Sequence, residues 1–310
     1  MKPLRIKGLS KEYRLGLRRR HVIALYPLDL EIEEGEIFGF LGPNGAGKTT
    51  TIKLLLGLLR PTAGSAWILG RTIEEVEVKQ DVGYLPESPY FYEYLTAEEF
   101  LTFYGQLFGL GGKGLARKVD ELLELVAMTH ARRLPLRKFS KGMLQRVGIA
   151  QALINDPKLV ILDEPMSGLD PIGRRDVRDI ILRLKDGGKT IFFSTHILPD
   201  VEMICDRIAI LVKGRLRAVG AVQDLVGNAS VTAVEIIVEA LTEEAASEVS
   251  SRGGTVVRQG RQSLIKLDDQ HMVDEVLDLI RRHRGRLISL VPHKRSLEDL
   301  FLEEAGVRTA

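Results

Sequence analysis

Eight consecutive residues, Gly42-Pro43-Asn44-Gly45-Ala46-Gly47-Lys48-Thr49, place backbone freedom, an amine and a hydroxyl within one short stretch of chain. Glycines let such a loop turn its N–H groups toward phosphate oxygens, the lysine reaches the β and γ phosphates, and the hydroxyl binds Mg²⁺. The apolar run Ile37–Leu41 leads in, and Ile52, Leu55, Leu56 and Leu59 follow at helical spacing. A helix that starts at the loop aims its N-terminus at the anion. The bland alternative is a glycine turn without a ligand, and the flanking strand and helix weigh against it. A second set, Leu159-Val160-Ile161-Leu162-Asp163-Glu164, ends an apolar run in two carboxylates. Strand ends of this kind face the crevice where α/β sheets bind ligands. There Asp163 is suited to the Mg²⁺ shell and Glu164 to polarising an attacking water. An apolar run followed by Asp-Glu is ordinarily a strand meeting solvent; the phosphate loop elsewhere in the chain reverses that reading.

The elements that must position these groups read as α/β over the first 220 residues. Glu36–Leu41, Leu159–Leu162, Thr190–Ser194 and Arg207–Val212 are continuous apolar runs suited to central parallel strands covered on both faces. Between Leu95 and Ile154 the pattern turns helical, as in Leu115–Val126, which suggests an inserted subdomain. Near Val222–Ser230 the pattern loosens, with a turn signal at Gly227–Asn228. Beyond it, Thr232–Val238, Thr242–Ser251, Thr255–Arg258, Ser263–Leu267, His271–Arg284 and Arg286–Val291 follow a β-α-β-β-α-β order, the ferredoxin-like arrangement. The tail Ser296–Glu304 opens with a Ser-x-x-Asp start and sets Leu297, Leu300 and Phe301 on one face. We therefore expect domains at 1–221 and 231–310, a linker at 222–230, and a helical subdomain near 88–155.

Phe139-Ser140-Lys141-Gly142-Met143-Leu144-Gln145-Arg146, about twenty residues before Asp163, resembles the signature of ATP-binding cassette (ABC) ATPases. Ser167-Gly168-Leu169-Asp170 looks like the D-loop of that family, His196 in Ser194-Thr195-His196 like its switch histidine, and Tyr13 like its adenine-stacking aromatic. The resemblance covers residues 4 to about 220. It implies a P-loop NTPase cassette, with a RecA-like core and a helical subdomain, followed here by the small ferredoxin-like α+β domain. It also implies ATP hydrolysis with Mg²⁺. Gly42 to Thr49 and Thr50 would hold the nucleotide, with Lys48, Glu164 and His196 catalytic and Thr49, Asp163 and Glu87 near the metal. Two cassettes would close head to tail around ATP, as a homodimer or with a second cassette subunit. Ser140, Gly142 and Asp170 would then meet nucleotide held by the partner.

Several positions depart from the common pattern. The signature reads Ser-Lys-Gly-Met, and Glu87 stands where most members carry glutamine, replacing an amide with an acceptor-only carboxylate. Gly16–His21, with Arg18, Arg19 and Arg20, is extra between Tyr13 and the phosphate loop. The variants, and the tail Ser296-Leu297-Glu298-Asp299-Leu300-Phe301, resemble the ATPases of ABC-2 type exporters. That resemblance implies a separately encoded ABC-2 type transmembrane permease and a place at the cytoplasmic face of the cell membrane. The alternatives are a non-transport cassette ATPase or a nucleotide-gated scaffold.

Eight aromatics crowd between Tyr90 and Phe108. Phe100, Phe103 and Tyr104 are helically spaced and read as core. Tyr90, Phe91, Tyr92 and Tyr94 are too close in sequence to share one core face, and are either a permease socket or a local aromatic cluster. Composition adds bounds. Apolar residues make 45% and charged residues 28%, and the net charge of +2 supplies no field for nucleic acid, so none is expected as partner. The sole cysteine, Cys205, excludes a disulfide framework and reads as a small buried hydrophobe. Arg18–His21 and Arg281–Arg284 read as a charged loop and a solvated helix end. The six histidines lack ligand spacing. No apolar run nears the roughly 18 residues of a membrane span, and a soluble, cytoplasmic chain is expected.

Overall fold

The computed structural model describes residues 1–15, 20–226, 231–269, 272–294 and 297–305. Two compact units result, Met1–Val222 and Gln223–Ala310. The Gly16–Arg19 part of the insertion, the Gly227–Asn228 turn, His271 and Ser296 lie outside the described residues.

The first unit is built on a six-stranded sheet. Its strands are β3 (Ile37–Leu41), β6 (Val82–Leu85), β7 (Leu159–Asp163), β8 (Thr190–Thr195), β9 (Arg207–Val212) and β10 (Arg215–Ala221), in the order β10-β9-β3-β8-β7-β6. Every pair except the edge hairpin β9–β10 is parallel. All residues of β3, β7 and β8 are buried, as expected of strands covered on both faces. The phosphate loop and the Asp163-Glu164 pair both leave carboxyl ends of these strands.

A second, antiparallel sheet has no counterpart in the sequence-level expectation. It joins β1 (Leu4–Leu15), β2 (Arg20–Ile32), β4 (Ala63–Ile68) and β5 (Arg71–Thr72) in the order β2-β1-β4-β5. Its inward residues Leu4, Ile6, Leu9, Leu28, Leu30 and Ile32 share one core with Phe38, Phe40 and Phe192 of the parallel sheet. Helix α1 (Lys48–Leu55) contributes Ile52, Leu54 and Leu55 to that core. The charged residues of β1 face outward between the buried ones, as period-2 geometry demands.

The helical block comprises α2 (Ala97–Leu107), α3 (Gly112–Leu125) and α4 (Lys141–Ala152). Thr96 and Glu99 form a reciprocal capping box that fixes the start of α2. Leu115, Val119, Leu122 and Leu123 give α3 its buried stripe. After β7, α5 (Pro171–Asp186) and α6 (Leu198–Ile204) flank β8 in sequence, and α7 (Val222–Val226) follows β10.

The second unit contains β11 (Val231–Glu239), α8 (Glu243–Ser251), β12 (Thr255–Gln259), β13 (Gln262–Leu267), α9 (Met272–Arg282), β14 (Arg286–Lys294) and α10 (Leu297–Ala305). The sheet order β12-β13-β11-β14 with antiparallel neighbours is the ferredoxin-like arrangement. Val234, Ile236, Val238, Ile265 and Leu267 of the sheet pack on Ala245, Val249, Val276, Leu279 and Ile280 of the two helices.

Candidate nucleotide site

The loop between β3 and α1 owes its path to glycine at two positions. Gly47 takes φ 109°, and a side-chain carbon there would meet Ala24 O at 2.7 Å. At Gly42 the same carbon would lie 2.4 Å from Leu211 O. No side chain caps the start of α1, so its first N–H groups stay available to an anion. A cavity of about 350 Å³ opens over this turn. Asn44, Gly45, Ala46, Gly47, Lys48, Thr49, Thr50, Glu87, Glu164 and Ala24 line it.

Lys48 is buried beneath the cavity, where its Nζ donates to Gly42 O at 2.7 Å and to Pro43 O at 3.3 Å. The same Nζ lies 3.0 Å from Glu164 Oε1. That carboxylate oxygen makes no well-directed hydrogen bond, so the contact is best described as ionic. Glu164 Oε2 lies 2.9 Å from His196 Nδ1. The three residues expected to be catalytic are therefore in mutual contact through one carboxylate.

Glu164 adopts φ 51°, a left-handed conformation that costs an ordinary side chain energy and persists only where the surroundings enforce it. The enforcement comes from Ser194: its O and Oγ accept from Glu164 N at 3.2 and 3.0 Å. The Ser194 hydroxyl in turn donates to Asp163 Oδ1 at 2.5 Å. Asp163 Oδ2 is buried and has no hydrogen-bond partner. On neighbouring β6, burial pushes the Tyr84 phenol up to about 12, and the negative charge of Asp163 adds to that shift.

The remaining expected residues lie outside this cavity. Tyr13 on β1 pairs with Val22 of β2 and stacks with Lys11, whose Nζ is 5.2 Å from its ring centre; Tyr13 does not line the cavity. Ser140 caps α4 by accepting from Met143 N at 3.3 Å, and open space surrounds the position of a Gly142 side chain. Asp170 caps α5 by accepting from Gly173 N at 3.0 Å. A separate groove, about 470 Å³, lies between the Glu87–Glu93 segment and α4, lined among others by Tyr90, Phe91, Arg137, Lys141 and Gln145. Phe91 packs on Phe100, 5.3 Å between ring centres, whereas Tyr90 and Tyr94 are 80% and 71% exposed. Cys205 Sγ fills the space that Gly39 leaves, and burial, with the charges of Asp206 and Asp200, pushes its thiol well above the ordinary range.

Two contributors escaped the sequence reading. Ser194 was legible only as part of the Ser194-Thr195-His196 string, although a serine in the otherwise apolar β8 was a signal. Ala24 lines the cavity from β2, in a sheet that carried no recognisable signature.

A strand–glycine loop–helix cradle beside a carboxylate-ended parallel strand defines a P-loop nucleotide hydrolase of α/β class. Residues 25–167 match the family model described as ABC transporter. An uncharacterized ABC transporter ATP-binding protein of Synechocystis is 46% identical over 308 residues, covering 97% of this chain and 85% of the relative. The linearmycin resistance ATP-binding protein of Bacillus subtilis is 32% identical over 287 residues, covering 90% and 92%. A solved ATP-binding subunit of an ABC transporter superposes with a TM-score of 0.63 at 34% identity, over 72% of this chain and 91% of its own. The chain belongs to the ABC transporter ATP-binding proteins, and it is an ATPase.

Ser194 gives this geometry a direct test. Ser194→Ala removes the hydroxyl that both carboxylate-bearing residues use. It should lower stability by about 1–3 kcal/mol and turnover by about 10²-fold, the scale of a misplaced reacting group. Urea denaturation and steady-state ATPase assays read the two effects, and unchanged turnover would refute the role given to Ser194.

Proposed function

We propose that this protein is the ATP-hydrolysing subunit of an ABC-2 type exporter, docking on a separately encoded permease at the cytoplasmic face of the cell membrane. The observation that carries the hydrolytic reading is the Lys48–Glu164–His196 contact at the floor of the phosphate-loop cavity. Phosphate oxygens entering the cavity meet the uncapped N–H groups of α1 and draw Lys48 Nζ from Glu164. The released carboxylate is then the base that takes a proton from water, while His196 steadies its other oxygen. Gly42 and Pro43 serve through their carbonyls, which accept from Lys48 Nζ at 2.7 and 3.3 Å.

A hard divalent cation fits the donors present. Asp163 Oδ2 is a buried oxygen without a hydrogen-bond partner, and the Thr49 hydroxyl and Glu87 line the adjoining cavity. Among the described residues no group of three or more His, Cys, Asp and Glu gathers as a cation site, so phosphate oxygens would complete the shell. Bound there, Mg²⁺ would neutralise phosphate charge. Tyr13 is proposed to stack on adenine beyond the cavity. Ser140, Gly142 and Asp170 are proposed to meet nucleotide held by a second cassette, because they lie away from the chain's own cavity.

Export and permease docking rest on other features. The Ser140-Lys141-Gly142-Met143 string, Glu87 and the C-terminal unit resemble the ABC-2 type pattern, and a relative similar over 90% of the chain is named for linearmycin resistance. Among the described residues no helix is long and apolar enough to cross a membrane. The segment of Tyr90, Phe91, Tyr92 and Tyr94, of which Tyr90 and Phe91 line the groove beside α4, is the proposed socket, since exposed tyrosines are suited to interface hot spots. To the C-terminal unit we assign a dimerising or regulatory role.

Glu164→Gln should reduce ATPase turnover by about 10²–10⁴-fold and trap an ATP-bound dimer in size-exclusion chromatography; wild-type turnover would reject Glu164 as the base. Tyr90→Ala and Tyr94→Ala should uncouple substrate export from ATP hydrolysis with ATP affinity preserved. Normal coupled export in both would reject the socket. A chain ending at Val226 should dimerise less or lose regulation; unchanged dimerisation, ATPase activity and transport would reject a role for the C-terminal unit.

A further inference from the structure

Arg178 of α5, partly covered, and buried Asp200 of α6 form an ion pair that the phosphate chemistry does not use. Asp200 is 1% exposed, and its Oδ1 accepts from Arg178 Nη1 at 2.7 Å. Its Oδ2 is buried without a hydrogen-bond partner. A largely covered pair of this kind adds little net stability over apolar side chains of similar size. What it does add is a fixed distance and direction between two helices.

Each of those helices is joined to Glu164 by a short stretch of chain. Helix α6 has seven residues, too few to hold itself in water without packing. His196 lies two residues before α6, braced by the bond from Ile197 N to Thr195 Oγ1 at 3.0 Å. Its ring is 39% exposed and meets Glu164 Oε2, and its backbone joins the end of β8 at Thr195 to the start of α6 at Leu198, so a shift of α6 pulls on it directly. Toward α5, Ser167 N donates to Glu164 O at 3.1 Å, and Arg174 Nε donates to Leu169 O at 3.2 Å. Asp170 then caps α5. A continuous circuit runs from Glu164 through residues 167–170 and α5, across Arg178–Asp200 to α6, and back to Glu164 through His196.

We propose that Arg178 and Asp200 are positioning residues, whose ion pair locks α6 onto α5 and so holds the His196 ring on Glu164. This rests on the reading of Glu164 and His196 given above. It assigns the pair to the geometry of turnover rather than to nucleotide binding.

The test replaces both partners at once in the full chain, R178M/D200L, which leaves no lone buried charge, and combines that pair with His196→Ala in a double-mutant cycle. R178M/D200L should melt within about 3 °C of wild type and keep its KM for ATP within about twofold. Its kcat should fall about tenfold or more, the scale of a group displaced by a fraction of an ångström. Adding His196→Ala should lower kcat no further than His196→Ala alone. A wild-type kcat in R178M/D200L beside a slow His196→Ala overturns this proposal alone, as do losses that multiply. A wild-type kcat in His196→Ala overturns the histidine's role and this proposal together. Asp200→Asn, which keeps the shape and removes the charge that Arg178 Nη1 meets, gives a second reading should the double variant not fold. It should retain the wild-type KM with an intermediate kcat, and a wild-type kcat would count against the pair.

Discussion

The buried contact between Lys48 and Glu164 organises this molecule. Both side chains are more than nine-tenths covered, and Asp163 beside them is covered further. One cation thus meets the Glu164 carboxylate in a crevice largely shut from water, with the Asp163 carboxylate one residue away on the same strand end; charges there are worth far more than at a surface. Lys48 satisfies itself on Gly42 O, Pro43 O and Glu164. Glu164 Oε1 and Asp163 Oδ2 stay without directed hydrogen bonds. A site in that condition is primed for a ligand with phosphate oxygens for the amine and a counter-cation for the spare carboxylate oxygen. ATP supplies the first, and the proposed divalent cation would supply the second. In the proposed cycle the ion contact also guards the base, because Glu164 is held until phosphate claims Lys48.

The rigid parallel sheet makes such a site possible. Glu164 leaves β7 in a left-handed conformation, and only a scaffold that over-determines its backbone can keep it there. Ser194 on adjacent β8 does this with two acceptors on a single N–H, while its hydroxyl hydrogen serves Asp163. Asp163 pairs directly with Ser194 in the strand register, so both carboxylates are set by the alignment of two strands. Gly42 N donates to Thr195 O at 3.1 Å, tying the phosphate loop to that same strand. Loop, Glu164 and Ser194 therefore answer to β8, and a shift of that strand would displace all three.

What was legible in the sequence follows from this architecture. Buried parallel strands must be continuously apolar, so β3, β7, β8 and β9 stood out, and the carboxylates at the end of β7 marked the crevice. The ferredoxin-like order was legible because β11 and β13 alternate cleanly against two amphipathic helices. The β1-β2-β4-β5 sheet was not. Its strands bury one face only, and register shifts between Ile6 and Glu12 break the alternation that would have announced them. Site residues with a motif could be named from spacing, whereas Ser194, Arg178 and Asp200 act through tertiary contacts. Nothing in spacing alone sets Arg178 against a residue 22 positions later.

The lysine in the Ser-Lys-Gly-Met string also has a structural partner. A cation in the first turn of a helix opposes the helix dipole, and Lys141 occupies that position in α4. Its side chain extends over Gly168, where a side-chain carbon would lie 2.1 Å from Nζ. Gly168 itself has φ 66°, a conformation that favours glycine. Lysine at 141 and glycine at 168 are therefore matched: any side chain at 168 would displace the ammonium as well as strain the turn. Because residue 168 belongs to the turn that begins at Glu164, Lys141 reaches the neighbourhood of that carboxylate-bearing residue within one chain. The Ser-Lys-Gly-Met string is thus half of a contact with the 167–170 turn.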